Sequence, residues 1–180
     1  SARQNEGIFP MKMTMMTTAC ALLAMMALAV EPSDHVDTLI GGSYRGHTFP
    51  GATCPFSMVQ ASPDTGLCDW NHCAGYGWED PFVYGCSQTH LGGTGCPDLE
   101  DVRLLPFTAD FADPNPYNWK IAKDARTELG RPGYYTVAFT NAGVVAEMTA
   151  TPHVGVHRYT YEPGHPVKML VDLQWVIAGN

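Results

Sequence analysis

The chain has 180 residues and a formal net charge of −8, with 45% hydrophobic and only 16% charged residues. That length holds one ordinary domain and excludes a complete barrel enzyme, while the acidic balance removes the phosphate-neutralising surface that nucleic acids and anionic lipids require. With 18 glycines and 14 prolines, the composition predicts a folded, turn-rich β protein.

In chain order, residues 1–10 read as an upstream extension and Met11 as the initiator. Met13 to Val30 carries no charge and follows Lys12, the layout of a secretory signal. The small residues of Ala27-Leu28-Ala29 set the expected cleavage after Ala29. Thr14, Thr17 and Thr18 interrupt the apolar stretch, so no stable membrane insertion is expected. The chain therefore divides into an extension with signal peptide at 1–29 and one domain at 30–180. The expected product is exported, periplasmic or extracellular. It carries Cys54, Cys68, Cys73, Cys86 and Cys96 into an oxidising compartment, where up to two disulfides form with connectivity left open. No C-x-x-C pair occurs, so no zinc site is expected.

Residues 41–100 are rich in glycine and aromatics and predict long loops on a scaffold. From Tyr134 the pattern has period two. Tyr135, Val137 and Phe139 alternate with Thr136, Ala138 and Thr140, and Asn141-Ala142-Gly143 turns the chain into a strand from Val144 to Thr151. A third strand from Val154 to Tyr161 ends at Glu162-Pro163-Gly164, a turn whose proline fixes φ. A fourth runs from Val167 to Leu173. Together these predict an antiparallel meander packed on a second sheet, an all-β, antiparallel β-sandwich. The apolar finish at Trp175-Val176-Ile177 leads to the expectation that the sandwich is incomplete at the C-terminal end.

Several segments then carry a resemblance. His47 to Thr53 followed by Pro55 to Thr65, Cys73-Ala74-Gly75-Tyr76, Tyr84 to Cys96, Pro132 to Val137, Glu147 to Thr151, His157 to Thr160 and Val171 to Gln174 occur in the order found in glycoside hydrolase family 92. Tyr84 to Cys96 is similar to that family's GFSHTHLSGTG stretch and departs from it at Gln88 and Gly92. The family comprises calcium-dependent exo-acting α-mannosidases, and the resemblance covers almost all of residues 36–175.

The resemblance implies a supersandwich-like N-terminal domain followed by an (α/α)₆ barrel domain of the same parent chain, with α-mannoside glycans as substrates. The family inverts the anomeric centre, which requires an acid and a base roughly 6.5–9.5 Å apart. Those carboxylates, and the calcium ligands, belong to the helical domain and have no matching positions here. No catalytic residue, metal ligand or cofactor is therefore expected in this chain, and calcium is implied only for the parent enzyme. What remains is one wall of a mannose cleft, since a sugar offers an apolar C–H face to an aromatic plane. Trp70, beside His72, is the best match to a cleft-lining tryptophan, with Trp78 second. Tyr76, His90, Thr94, Gly95 and Cys96 complete the expected substrate-binding set. The alternative is a purely structural domain supporting the helical barrel, and a third reading makes the chain a hydrolase by itself. His47 reads as a histidine that satisfies backbone groups. His157 and Arg158 should point to opposite faces of a strand. Asp98, Glu100 and Asp101 read as a solvated acidic loop, because no EF-hand spacing is present.

Overall fold

The structure, a computed structural model, describes residues 31–67 and 69–178. The expected leader, its cleavage site and Cys68 lie outside the described residues. The chain up to His35 forms a unit of its own, whose described part is a 3-10 turn, Pro32–His35. Its first turn is closed by Asp34, whose carboxylate accepts from the Glu31 amide at 3.2 Å.

The described residues of the second unit, from Val36 onward, form ten strands: β1 (Ala52–Thr53), β2 (Gln60–Asp64), β3 (Phe82–Val83), β4 (Gly85–Ser87), β5 (Arg103–Phe107), β6 (Ile121–Arg131), β7 (Tyr134–Phe139), β8 (Val144–Ala150), β9 (Gly155–Tyr161) and β10 (Lys168–Asp172). They form two five-stranded sheets in the orders β1-β2-β4-β5-β10 and β3-β6-β7-β8-β9, with antiparallel pairing throughout. Alternation decides which face is dry. Tyr135, Val137 and Phe139 of β7 and Val144, Ala146 and Met148 of β8 are buried together, against Ala52, Ala61, Cys86 and Leu105 of the other sheet. Their shared core makes the all-β antiparallel sandwich that the period-two pattern predicts. Each fully buried large apolar side chain there contributes about 1.5–3 kcal/mol.

The meander has four strands as expected, but they are β6 to β9 rather than β7 to β10. β7, β8 and β9 follow one another, but β10 crosses to the other sheet and pairs with β5, placing Asp172 opposite Arg103 and Lys168 opposite Phe107. Two interactions favour that edge. Arg103, buried in β5, bonds Asp172 at 2.8 Å, and its guanidinium lies 3.9 Å from the centroid of the Trp175 ring. The six residues from Glu162 to Val167 include Pro163 and Pro166, which lack the N–H groups a tight hairpin ladder would use.

β6 was not anticipated. Its charged sequence hides a strand with an irregularity between Asp124 and Leu129, where Thr127 Oγ1 donates to Asp124 O at 2.7 Å and accepts from Ala138 N at 2.9 Å. The bulge turns Glu128 inward, onto Lys123 at 3.2 Å and Tyr76 at 2.6 Å.

Candidate functional site

The segment that presents Trp70 is ordered by its own carboxylate cap. Asp69 precedes the 3-10 turn Trp70–His72, and its Oδ1 accepts from Asn71 N at 2.7 Å, His72 N at 2.9 Å and His72 Nδ1 at 2.8 Å. An aspartate at an N-cap is suited to this, because it satisfies donors that the turn itself leaves open. On its other side His72 Nε2 meets Asp80 Oδ2 at 2.9 Å, and Asp80 also accepts from Thr65 Oγ1 at 2.7 Å and Tyr44 Oη at 2.8 Å. The bond to Asp80 raises the His72 pKa above its ordinary value, against partial burial and with help from Asp69. Burial pushes Asp80 upward, but the bonds from His72, Thr65 and Tyr44 outweigh it and hold the carboxyl low. Tyr44 is pushed up to about 12, chiefly by donating to Asp80.

This clamp leaves the Trp70 ring outside, 63% exposed. One side of it is backed by two groups brought from elsewhere in the chain. His47 Nε2 lies 2.8 Å from the Trp70 carbonyl oxygen, so that nitrogen carries the proton, and its ring meets the indole edge-on with centroids 4.7 Å apart. Gly95 fits beneath the pair: with φ +68, a Cβ there would stand 3.3 Å from Trp70 Cη2 and 3.2 Å from His47 Nδ1. Thr94 and Cys96 flank it on the exposed turn, with Thr94 Oγ1 accepting from Cys96 N at 3.2 Å. Trp70, Gly95, Thr94 and Cys96 thus fall in one patch, an indole platform edged by polar turn atoms. Such a surface stacks on an apolar ring face and hydrogen-bonds its rim.

Other expected site residues lie elsewhere. Trp78 is 48% exposed and is anchored through its amide to Gly42 O at 2.8 Å. His72 is occupied by Asp69 and Asp80 as the support of the turn. Tyr76 and His90 differ from expectation because both are buried. Tyr76 donates to Glu128 and lies under the Lys123 ammonium, 4.6 Å from its ring centroid. Burial next to the Glu128 carboxylate drives its pKa well up.

His90 Nδ1 is 2.8 Å from Gln60 O and its Nε2 is 3.0 Å from Asp64 Oδ1. Glu100 is a further correction, since it is buried rather than solvated, with Oε2 accepting from Trp175 Nε1 at 3.1 Å. Asp64, His90 and Glu100 bring ligand atoms within 4.8 Å of one another. Burial pushes the Asp64 pKa up, and bonds from His90 and Ser87 pull it partly back. This cluster does not fit the calcium implied by the resemblance, since calcium takes six to eight oxygens in an open, hydrated shell. Cys54, Cys86 and Cys96 are free thiols, and no disulfide joins two of the described cysteines. Asp64 was not singled out by sequence and Glu100 was read only with its acidic neighbours Asp98 and Asp101, because 36 positions separate two halves of one cluster that no local spacing announces. Asp69, directly before Trp70, carried a cap signal that reading the segment as a turn would have used.

His157 and Arg158 do point to opposite faces. His157 meets Gln88 at 2.7 Å and Tyr159 at 3.1 Å, and burial takes its pKa down to about 4. Arg158 forms an exposed pair with Glu147, with both contacts at 2.6 Å. No helix among the described residues is long and apolar enough to cross a membrane.

Residues 35–179 match the family model described as the glycosyl hydrolase family 92 N-terminal domain. A protein of Arthroderma benhamiae named an uncharacterized secreted glycosidase is 32% identical over 135 residues, covering 71% of this chain and 17% of that protein. The family GH92 α-mannosidase of Bacteroides thetaiotaomicron solved in complex with mannoimidazole is similar at a TM-score of 0.74 and 31% identity, over 81% of this chain and 20% of its own. A family GH92 inverting mannosidase from Bacteroides thetaiotaomicron VPI-5482, at 20% identity over 80% of this chain and 20% of that one, shares the fold with a TM-score of 0.65. The chain therefore spans about a fifth of the length of these relatives.

Proposed function

This chain belongs to the family of glycosyl hydrolase family 92 N-terminal domains, and on that premise we propose that it forms one wall of the mannose-binding cleft of an exported α-mannosidase-like glycosidase. The observation that carries this reading is the Trp70 platform. A large indole 63% exposed stands on a turn fixed by Asp69, His72 and Asp80 and is backed by His47 and Gly95. Its exposed apolar face is one on which a sugar ring can stack.

The division of labour follows from coverage. Relatives of this chain are about four times its length, so the acid, the base and the calcium ion belong in this reading to a following (α/α)₆ domain. Calcium there supplies positive charge to substrate oxygens. This chain's own part is to bind and orient the sugar: Trp70 takes the C–H face, and the turn at Thr94, Gly95 and Cys96 borders its rim. Export to the periplasm or the exterior is supported by the uncharged segment behind Lys12 and by the word secreted in the relative's name.

The burial of Tyr76 and His90 favours a second reading, in which the shared motifs only hold the sandwich together for the helical domain. Exchange of Trp70 for Ala in the full-length protein separates the two. Loss of a stacking face should lower kcat/KM on an α-mannoside by about tenfold or more with the fold intact, and unchanged kinetics would leave the structural reading standing.

A further inference from the structure

Inside the first sheet, the end of β2, the segment after β4 and the segment before β5 meet at Asp64, His90 and Glu100. Their side chains belong to the interior, with 0%, 3% and 1% exposure. His90 Nδ1 sits 2.8 Å from the Gln60 carbonyl oxygen. A carbonyl only accepts, so Nδ1 carries a proton, and in the neutral ring the lone pair is left on Nε2. Nε2 is turned toward Asp64 Oδ1 at 3.0 Å, a contact that places an electropositive centre, a proton or a metal ion, between the two atoms. An imidazole that donates to a backbone carbonyl through one nitrogen and offers the other to carboxylates has the orientation of a metal ligand.

A second observation points the same way. Asp64 Oδ1 also accepts from Ser87 Oγ at 2.7 Å, whereas Asp64 Oδ2 is buried with no hydrogen-bond partner. A buried carboxylate oxygen left that way is unfavourable. The backbone assists the third ligand. Glu100 has φ +70, in the left-handed region that side chains adopt at a cost, and Gly75 leaves open a space in which a Cβ would stand 1.8 Å from Glu100 Oε1.

We propose that Asp64, His90 and Glu100 bind one first-row divalent cation of zinc-like chemistry, which clamps three adjacent strands of the first sheet. One imidazole nitrogen with two carboxylates suits zinc and its neighbours. It does not suit calcium, which asks for more oxygens, or magnesium, which keeps its waters. Two carboxylates neutralise the ion, so the interior gains no net charge. Because the ligands are enclosed, the cation enters as the chain folds and its binding contributes to folding. The proposal is independent of the glycosidase reading.

The test uses the untagged chain, expressed with added Zn²⁺ and dialysed against metal-free buffer. Elemental analysis should find about one zinc per chain. Stripping with a chelator should lower Tm, and Zn²⁺ but not Ca²⁺ should restore it. Glu100→Gln keeps the side chain's size and removes its charge; it should hold zinc at least tenfold more weakly and lose the chelator response. Co²⁺ in place of zinc should give the visible absorption of a low-coordinate nitrogen and oxygen site, altered in Glu100→Gln. A wild-type chain with under a tenth of an equivalent of metal, and the same Tm with and without chelator, overturns the proposal in favour of a proton shared by His90 and Asp64. Equal zinc binding by wild type and Glu100→Gln overturns it too, since the ion then lies elsewhere. The wild-type measurements decide the matter even if the variant does not fold.

Discussion

Gly95 lies so close beneath Trp70 that a Cβ on it would stand 3.3 Å from the indole Cη2. The contact joins two segments 25 positions apart and sets the tilt of the exposed ring. Gly95→Ala should therefore move Trp70 as well as strain a backbone held at φ +68. We expect a stability loss of about 1–2 kcal/mol and a shift in tryptophan fluorescence. A variant with unchanged emission and Tm would show that Gly95 does not position the platform.

Two histidines give stability opposite pH dependences. His157 has its folded pKa lowered to about 4 by burial, so between that value and the unfolded 6.5 the unfolded chain binds more protons. Stability is present above 6.5 and is lost as pH falls toward 4, by up to about 3 kcal/mol. His72 has its folded pKa raised by Asp80 and Asp69, so its contribution is complete below 6.5 and is lost as pH rises through the folded value. Chemical denaturation across pH should show His157→Gln flattening the acid limb and His72→Asn removing the decline on the neutral side. A variant that leaves its own limb unchanged contradicts the assignment for that residue.

The crossing of β10 depends on Arg103. Its guanidinium bonds Asp172 at 2.8 Å and the backbone oxygens of Tyr84 and Pro116 at 3.3 and 3.0 Å, with Trp175 beneath. Arg103→Ala leaves Asp172 and two carbonyl groups without their donor and opens a cavity over Trp175. The expected cost is on the order of 3 kcal/mol, with faster hydrogen exchange in β5 and β10 than in β7 and β8. Uniform exchange in both sheets would mean that Arg103 does not hold that edge.

Much of the fold was legible in the residues, and the illegible parts have physical causes. Period-two alternation in β7 and β8, with glycine at the turn between them, names a hairpin locally because register and burial agree. A strand's own pattern does not name its partner. Met169 and Val171 of β10 alternate with Leu170 as they would in either sheet, and only Arg103, 69 positions before Asp172, decides the side. β6 was hidden because Lys123 and Glu128, a charged pair, occupy interior positions. At the site, Trp70 drew attention because it stands beside polar residues, and its ring is exposed. The burial of Tyr76 and His90 was not, since a shared motif marks residues that matter without saying whether they face a ligand or the core. Glu100 looked like part of a solvated acidic run, and its inward turn depends on a backbone conformation that its residue type disfavours.

The wall reading is tested most directly by a crystal structure of the full-length protein with an α-mannoside or a mannose-shaped inhibitor bound. The account predicts the sugar's C–H face within about 4 Å of the Trp70 ring, in van der Waals contact, with the turn at Thr94 to Cys96 beside its hydroxyl groups. A sugar held wholly by another domain, with Trp70 covered by protein, would contradict it.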